Sequence, residues 1–258
     1  MALICDFLCD GAIAWLTLSE PTKRNALNQS TITALAKQLD ILQERQQTHI
    51  VVLSGAGGTF AAGVDLTEVA PMTPEQALSQ DYLGSLWHRL ARFPLPTIAA
   101  IEGYALGGGF ELALMCDLLI ATDTAQFGFP EVSHGLLPGL GGTQKLTRLI
   151  GRYRTAELCF TGRFISAQEA LTMGLLNRVV PQTTLKDAAI DLAQTIIRQP
   201  QSSLYLIKKA INYSTEAPLA ASLELERQLF FTALATHEKR DRTKRFLHKQ
   251  DKKDVTRK

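Results

Sequence analysis

Thr97-Ile-Ala-Ala-Ile-Glu-Gly-Tyr-Ala-Leu-Gly-Gly-Gly-Phe-Glu-Leu-Ala-Leu-Met-Cys-Asp-Leu-Leu-Ile-Ala-Thr122 is the stretch on which the fold turns. Entered through Pro94 and Pro96, Thr97 to Ile101 reads as a buried apolar strand. A glycine-rich turn follows, then a short helix from Gly108 to Met115, then a second strand from Asp117 to Thr122. Strand, helix and strand in such close succession argue for parallel crossover units, which are right-handed in nearly all cases. The fold class is α/β.

Upstream, residues 3 to 8 and 12 to 18 run apolar on either side of Asp10-Gly11, a hairpin signal because glycine accepts positive φ. Ile32, Leu35, Ala36, Leu39 and Leu42 recur at helical spacing, with Ser30 placed as the N-cap. His49 to Ser54 predicts a short buried strand stopped by Gly55-Ala-Gly-Gly58, and Gln76 to Phe93 a single helix. Beyond Gly142 the pattern is helical, interrupted only by a strand over Leu176 to Val180. The expected division is a core of residues 1–198 and a helical region of residues 199–258, parted near Gln199-Pro200.

Composition narrows the function classes. The chain has 258 residues, 46% of them hydrophobic and 20% charged, with a net charge of +2. Such a balance gives no nucleic-acid stripe, and the basic stretch from Lys239 to Lys258 reads as a solvated helical end. No apolar run approaches the length of a membrane span. Cysteines 5, 9, 116 and 159 lack zinc-ligand spacing, so reduced, buried thiols and no metal are expected. The first residues, with Asp6 and no basic segment, lack the pattern of a signal peptide, and a cytoplasmic location is expected.

Chemistry concentrates in two glycine-bearing segments that each close on a glutamate: Gly103 to Glu111, and Phe127-Gly-Phe-Pro-Glu131. Paired carboxyls can hold one water between them, one acting as base and the other as acid. Glu111 lies within the apolar run Phe110 to Met115, where an unpartnered polar group is costly; a structural salt bridge would account for one such residue, but not readily for both. Peptide N–H groups at Gly107 to Gly109, and in the turn Phe60-Ala-Ala-Gly-Val-Asp65, can face a developing oxyanion. Competing motifs fail: Phe110, Glu111 and Leu112 stand where a dinucleotide fingerprint needs its third glycine, no Gly-Lys pair forms a phosphate loop, and no G-x-S-x-G elbow occurs. His134 on its loop reads as a wall residue.

Pro21-Thr-Lys-Arg-Asn-Ala-Leu-Asn28, Phe60 to Asp65, Gly103 to Glu111, Gly128-Phe-Pro-Glu131 and Gly141-Gly-Thr-Gln144 together resemble the crotonase superfamily, and within it the enoyl-CoA hydratases. Thr161-Gly162 and Ala167-Gln-Glu-Ala170 extend the resemblance over nearly the whole chain. It implies a spiral of ββα units with a helical C-terminal trimerisation region, assembled as a homotrimer or dimer of trimers, and an acyl-CoA thioester as substrate. Coenzyme A is part of that substrate, and no separate cofactor is implied. The N–H groups of Val64 and Gly108 would hold the thioester oxygen, Glu111 would activate water, Glu131 would protonate the α-carbon, and Gly139 would help hold the water. Arg24, Ala26, Ala62, Asp65 and Leu66 would line the coenzyme, with Phe246 and Lys249 reaching it from a neighbouring subunit. The family often carries Lys where this chain has Thr67, which removes an ionic contact to phosphate.

The implied reaction is reversible hydration of a 2-trans-enoyl-CoA to a 3-hydroxyacyl-CoA. An isomerase or dehydratase of a specialised acyl-CoA or acyl-carrier thioester is the alternative, although isomerases of the family commonly keep only one of the two acids. A non-catalytic acyl-CoA-binding protein is a third class, disfavoured by both acids being present. Acyl length depends on walls such as Trp87, His134 and the loop of residues 68–82, whose positions the sequence does not fix.

Overall fold

The computed structural model describes residues 2–82 and 84–255, with the side chains of Ser85, Trp87, His88 and residues 249–255 outside that description. The expectation that Trp87 walls the site therefore lies outside the described residues. The chain divides into two compact units, Met1–Ile196 and Ile197–Lys258.

In the first unit, β1 (Leu3–Leu8) and β2 (Ile13–Leu18) form the expected antiparallel hairpin. Its turn places Cys9, Asp10 and Gly11 at φ of 52°, 56° and 88°. Strand β1 is the sheet edge and alternates in burial, whereas β2 has neighbours on both sides and is almost wholly buried. That difference explains why β2 reads as a continuous apolar run.

Helix α1 (Gln29–Glu44) is capped by Asn28, whose side chain accepts from the Thr31 N–H at 2.8 Å; Ser30 is not the cap but lies in the first turn. Both residue types cap well. The start is decided by a contact remote in sequence: Leu27 donates to the Gly63 carbonyl and accepts from the Asp65 N–H, which keeps the chain extended up to Leu27.

After β3 (Ile50–Gly55) come α2 (Leu66–Val69), α3 (Pro74–Ser79) and α4 (Gly84–Arg92). The single helix expected from Gln76 to Phe93 is thus broken in two. At the break Asp81 adopts φ 46°, its N–H donates to the Leu78 carbonyl, and the Tyr82 N–H donates to the Ala77 carbonyl. A left-handed residue followed by a bond back across the last turn is a common way to end a helix.

The decisive stretch folds as β4 (Thr97–Ile101), β5 (Tyr104–Leu106), α5 (Gly108–Met115) and β6 (Leu118–Thr122). There follow β7 (Gln126–Gly128), a 3-10 turn over Pro130–His134, α6 (Gly142–Ile150), α7 (Arg152–Thr161), β8 (Phe164–Ser166), α8 (Ala167–Thr172), β9 (Arg178–Val180) and α9 (Leu185–Ile197). Strand β8 is a second interruption of the helical pattern beyond Gly142, where only one was expected.

Two sheets result. The larger has the order β1-β2-β3-β4-β6-β9 and is parallel except for the hairpin; the smaller has the order β5-β7-β8. A strand of the large sheet, a short strand of the small one and a helix make one ββα turn, as in β4, β5 and α5. The bridges Leu27 to Val64 and Ala61 to Ala105 link the earlier turns into the same layer. Between the layers Phe110, Phe127 and Phe129 are fully buried, with ring centroids of the first at 5.4 Å and 5.0 Å from the other two. Each glutamate of interest is one or two residues from this cluster, so aromatic packing fixes where both begin.

The second unit holds α10 (Gln201–Ser214), α11 (Leu219–Leu234) and α12 (His237–Val255). The Glu238 carboxylate accepts from the Gln201 N–H at 3.2 Å and so caps α10. Ile207, Ile211, Phe230 and Phe231 are exposed on this unit. Among the described residues, no helix is long and apolar enough to cross a membrane. All four cysteines are free, but only Cys116 is buried, while Cys9 is exposed, contrary to the expectation of four buried thiols. The edge hairpin turn that carries Cys9 leaves it no layer to pack under.

Candidate active site

Glu111 is the fourth residue of α5, a helix whose eight residues are all buried, and it is only 2% exposed. Its Oε1 accepts from the N–H groups of Leu140 and Gly142, both at 2.7 Å. These donors belong to the start of α6, where unpaired peptide N–H groups favour negative charge. Burial raises the Glu111 pKa, and the N–H groups of Gly142, Leu140 and Gly139 pull it back down. Room for the carboxyl depends on Gly142. A Cβ there would sit 2.9 Å from Glu111 Oε1 and 2.6 Å from Phe129 Cζ.

Glu131 occupies the 3-10 turn after β7, and its environment is the reverse. Its Oε2 is buried without a hydrogen-bond partner among the described residues. Burial, reinforced by the charge of Glu111 and partly offset by its own N–H, pushes its pKa up to about 7. Gly107 lies against it at φ 49°, and a Cβ there would be 2.9 Å from Glu131 Oε1. Both glutamates line one cavity of about 250 Å³, and the charge of Glu111 acts on Glu131.

Val64 and Gly108 line the same cavity. A Cβ built on Gly108 would lie 3.5 Å from the Val64 nitrogen, so the two peptides are neighbours although they come from different turns of the spiral. Among the described residues, neither amide donates an internal hydrogen bond. Val64 is held by the Leu27 bridge on one side, and Gly108 opens α5 on the other. Two free donors beside two buried carboxyls form a site for polarising a carbonyl and moving protons near it. Among the described residues no group of His, Cys, Asp and Glu could hold a metal ion.

Residues 9–254 match the family described as Enoyl-CoA hydratase/isomerase. The chain belongs to that family. A Mycobacterium tuberculosis protein named probable enoyl-CoA hydratase is 40% identical over 93% of both chains. The 2,3-dehydroadipyl-CoA hydratase of Escherichia coli is 39% identical over 91% of this chain and 92% of its own. The crystal structure of an enoyl-CoA hydratase from Bacillus anthracis superposes with a TM-score of 0.91 at 35% identity, covering 96% of this chain and 97% of that one.

The positions that the enoyl-CoA hydratase/isomerase resemblance assigns to coenzyme binding are partly gathered here. Ala62, Leu66 and Gly139 line the cavity with the glutamates, whereas Arg24, Ala26 and Asp65 stand outside its lining. Ala62 donates to the Arg24 carbonyl at 3.0 Å, and Ala26 to the Lys23 carbonyl at 3.1 Å, which ties these segments together. Arg24 is exposed, left-handed at φ 51°, with its guanidinium 6.0 Å from the Tyr104 ring centre.

Asp65 is only 6% exposed and wholly engaged. It accepts from Lys23 Nζ at 2.8 Å, from Thr67 Oγ1 at 2.7 Å and from the Thr67 N–H at 3.0 Å. Lys23 first, then Thr67, hold its pKa down to about 2. Thr67, the departure noted in the sequence, is therefore part of the cap of α2. Phe246 is exposed on α12 of the second unit; Lys249 is on the same helix, with its side chain outside the described residues.

Val69 and Tyr82, within the loop of residues 68–82 named as a wall, line the cavity with His134, and so do Leu136 and Leu137, which spacing did not reveal. Nothing in their local patterns marks them. Tertiary packing brings them in.

Proposed function

We propose that the protein is an enoyl-CoA hydratase, adding water reversibly and with syn geometry to a 2-trans-enoyl-CoA to give a 3-hydroxyacyl-CoA. The observation that carries this reading is the opposed setting of Glu111 and Glu131 around one cavity. Glu111, satisfied by main-chain donors, acts as the ionised base that takes a proton from water as its oxygen bonds to C3. Glu131, desolvated and without a partner at Oε2, holds the proton delivered to C2. The Val64 and Gly108 amides stabilise the enolate-like oxygen formed between these events, each donor being worth about 3 kcal/mol in comparable oxyanion sites.

Coenzyme A enters as part of the substrate, with no separate cofactor. We assign Arg24, Ala26, Ala62, Asp65 and Leu66 to its main-chain cradle, and Phe246 and Lys249 to cover from a neighbouring subunit of a homotrimer or dimer of trimers. The exposed apolar side chains of α10 and α11 support such assembly, and light scattering tests it. A cytoplasmic location fits four unpaired thiols.

The deciding experiment follows crotonyl-CoA with purified protein, by loss of the conjugated thioester absorbance and by NMR of the product. Formation of 3-hydroxybutyryl-CoA supports the reading. A product with a displaced double bond and no hydroxyl would favour an isomerase.

A further inference from the structure

Beyond C3 the acyl chain must continue into whatever room the cavity leaves, and its walls differ. His134, Leu136 and Leu137 are exposed, the last at 73%, so this side opens to solvent. Val69 and Tyr82 are half-buried and make a closed side. Tyr82 is also packed against the hydrophobic core. Its placement is set by main chain: Asp81 is left-handed, and the Tyr82 N–H returns to the Ala77 carbonyl at 3.0 Å, which orients the residue as α3 ends. Its hydroxyl lies 3.5 Å from Glu68 Oε2, an oxygen that also accepts from the Gln29 N–H at the start of α1.

We propose that Tyr82 is the specificity-determining wall of the acyl site, restricting the enzyme to short acyl groups. This rests on the hydratase reading above. The cavity, at about 250 Å³, is smaller than the roughly 300 to 1,000 Å³ usual for ligand sites, and among the described residues Tyr82 carries the one phenyl ring in its lining. Burial, with the Glu68 charge, pushes the Tyr82 phenol up to about 12, so it remains a neutral wall at working pH.

The test compares wild type, Tyr82→Ala and Tyr82→Phe on straight-chain 2-trans-enoyl-CoAs of four to ten carbons, with saturated butyryl-CoA and decanoyl-CoA bound to the same proteins by calorimetry. For wild type, kcat/KM falls about tenfold or more from four to ten carbons, a scale that one or two ill-fitting methylenes supply. Tyr82→Ala raises the ratio of ten-carbon to four-carbon kcat/KM about tenfold and tightens decanoyl-CoA relative to butyryl-CoA, while Tyr82→Phe keeps the wild-type ratio. A flat wild-type profile, or a ratio unchanged by Tyr82→Ala in both assays, overturns the proposal. If no variant hydrates any enoyl-CoA, the hydratase reading fails by itself, and the calorimetric ratio still decides the role of Tyr82.

Discussion

Gly107 and Glu131 are in such close register that the smallest side chain on the first would press on the carboxyl of the second. The gap from a Cβ at Gly107 to Glu131 Oε1 would be 2.9 Å, and the backbone there has φ 49°. Gly107→Ala therefore combines backbone strain with displacement of the acid. We expect kcat to fall about a hundredfold, the scale on which a misplacement of about 1 Å acts, with the secondary structure by circular dichroism unchanged.

Removing either acid should be costlier than any change in the coenzyme cradle. Glu111→Gln and Glu131→Gln keep the shape and remove one proton-transfer function each, and steady-state kinetics on crotonyl-CoA should show kcat lower by about 10² to 10⁴. The double variant should be little worse than the worse single one, because the two groups act as a unit. Wild-type turnover in either single variant would refute the two-carboxyl mechanism.

The pH dependence has the same sign in both directions. Hydration needs the carboxyl pair singly protonated with the proton on Glu131, and dehydration needs that single proton on Glu111, so kcat/KM should decline in both directions as pH rises through about 7, with their ratio unchanged. These midpoints belong to the interacting pair. The stability sign also follows: the fold binds this proton more tightly than the unfolded chain, whose value is near 4.5, so the contribution is full below 4.5 and lost as pH rises through about 7. Thermal melts of wild type against Glu131→Gln should show the variant gaining relative stability from pH 5 to pH 8.

Asp65 and Lys23 should separate under mutation. Lys23 is 54% exposed, so Lys23→Ala should leave the urea unfolding midpoint nearly unchanged. Asp65→Ala also removes the α2 cap beside Val64, and about 1 to 2 kcal/mol is expected, with KM for acyl-CoA raised. The Asp65 carboxyl is held down to about 2, so its contribution is present above its ordinary 3.8 and lost as pH falls toward 2.

Much of this was legible in the residues. Helix α5 runs from Gly108 to Met115 as its apolar run predicts, and the hairpin forms around Asp10-Gly11. The carboxyl pair stood out because a glutamate in an apolar helix needs a reason. The second sheet was not legible, since β5, β7 and β8 have three residues each and exist through partners far along the chain, Tyr104 opposite Gln126 and Gln126 opposite Ser166. The same cause hid Leu136 and Leu137 and misplaced the start of α1: a cavity wall and a bridge at Leu27 are tertiary facts that local pattern does not encode.

The left-handed break at Asp81 divides the cavity wall from the acids. The segment from Leu66 to Tyr82 belongs to neither sheet and contains neither Glu111 nor Glu131, so under the proposed reading an exchange at Val69 or Tyr82 resizes one side of the cavity without replacing either acid. The opposite side, His134, Leu136 and Leu137, sits on the same stretch of chain as Glu131, so a change there bears on fit and chemistry together.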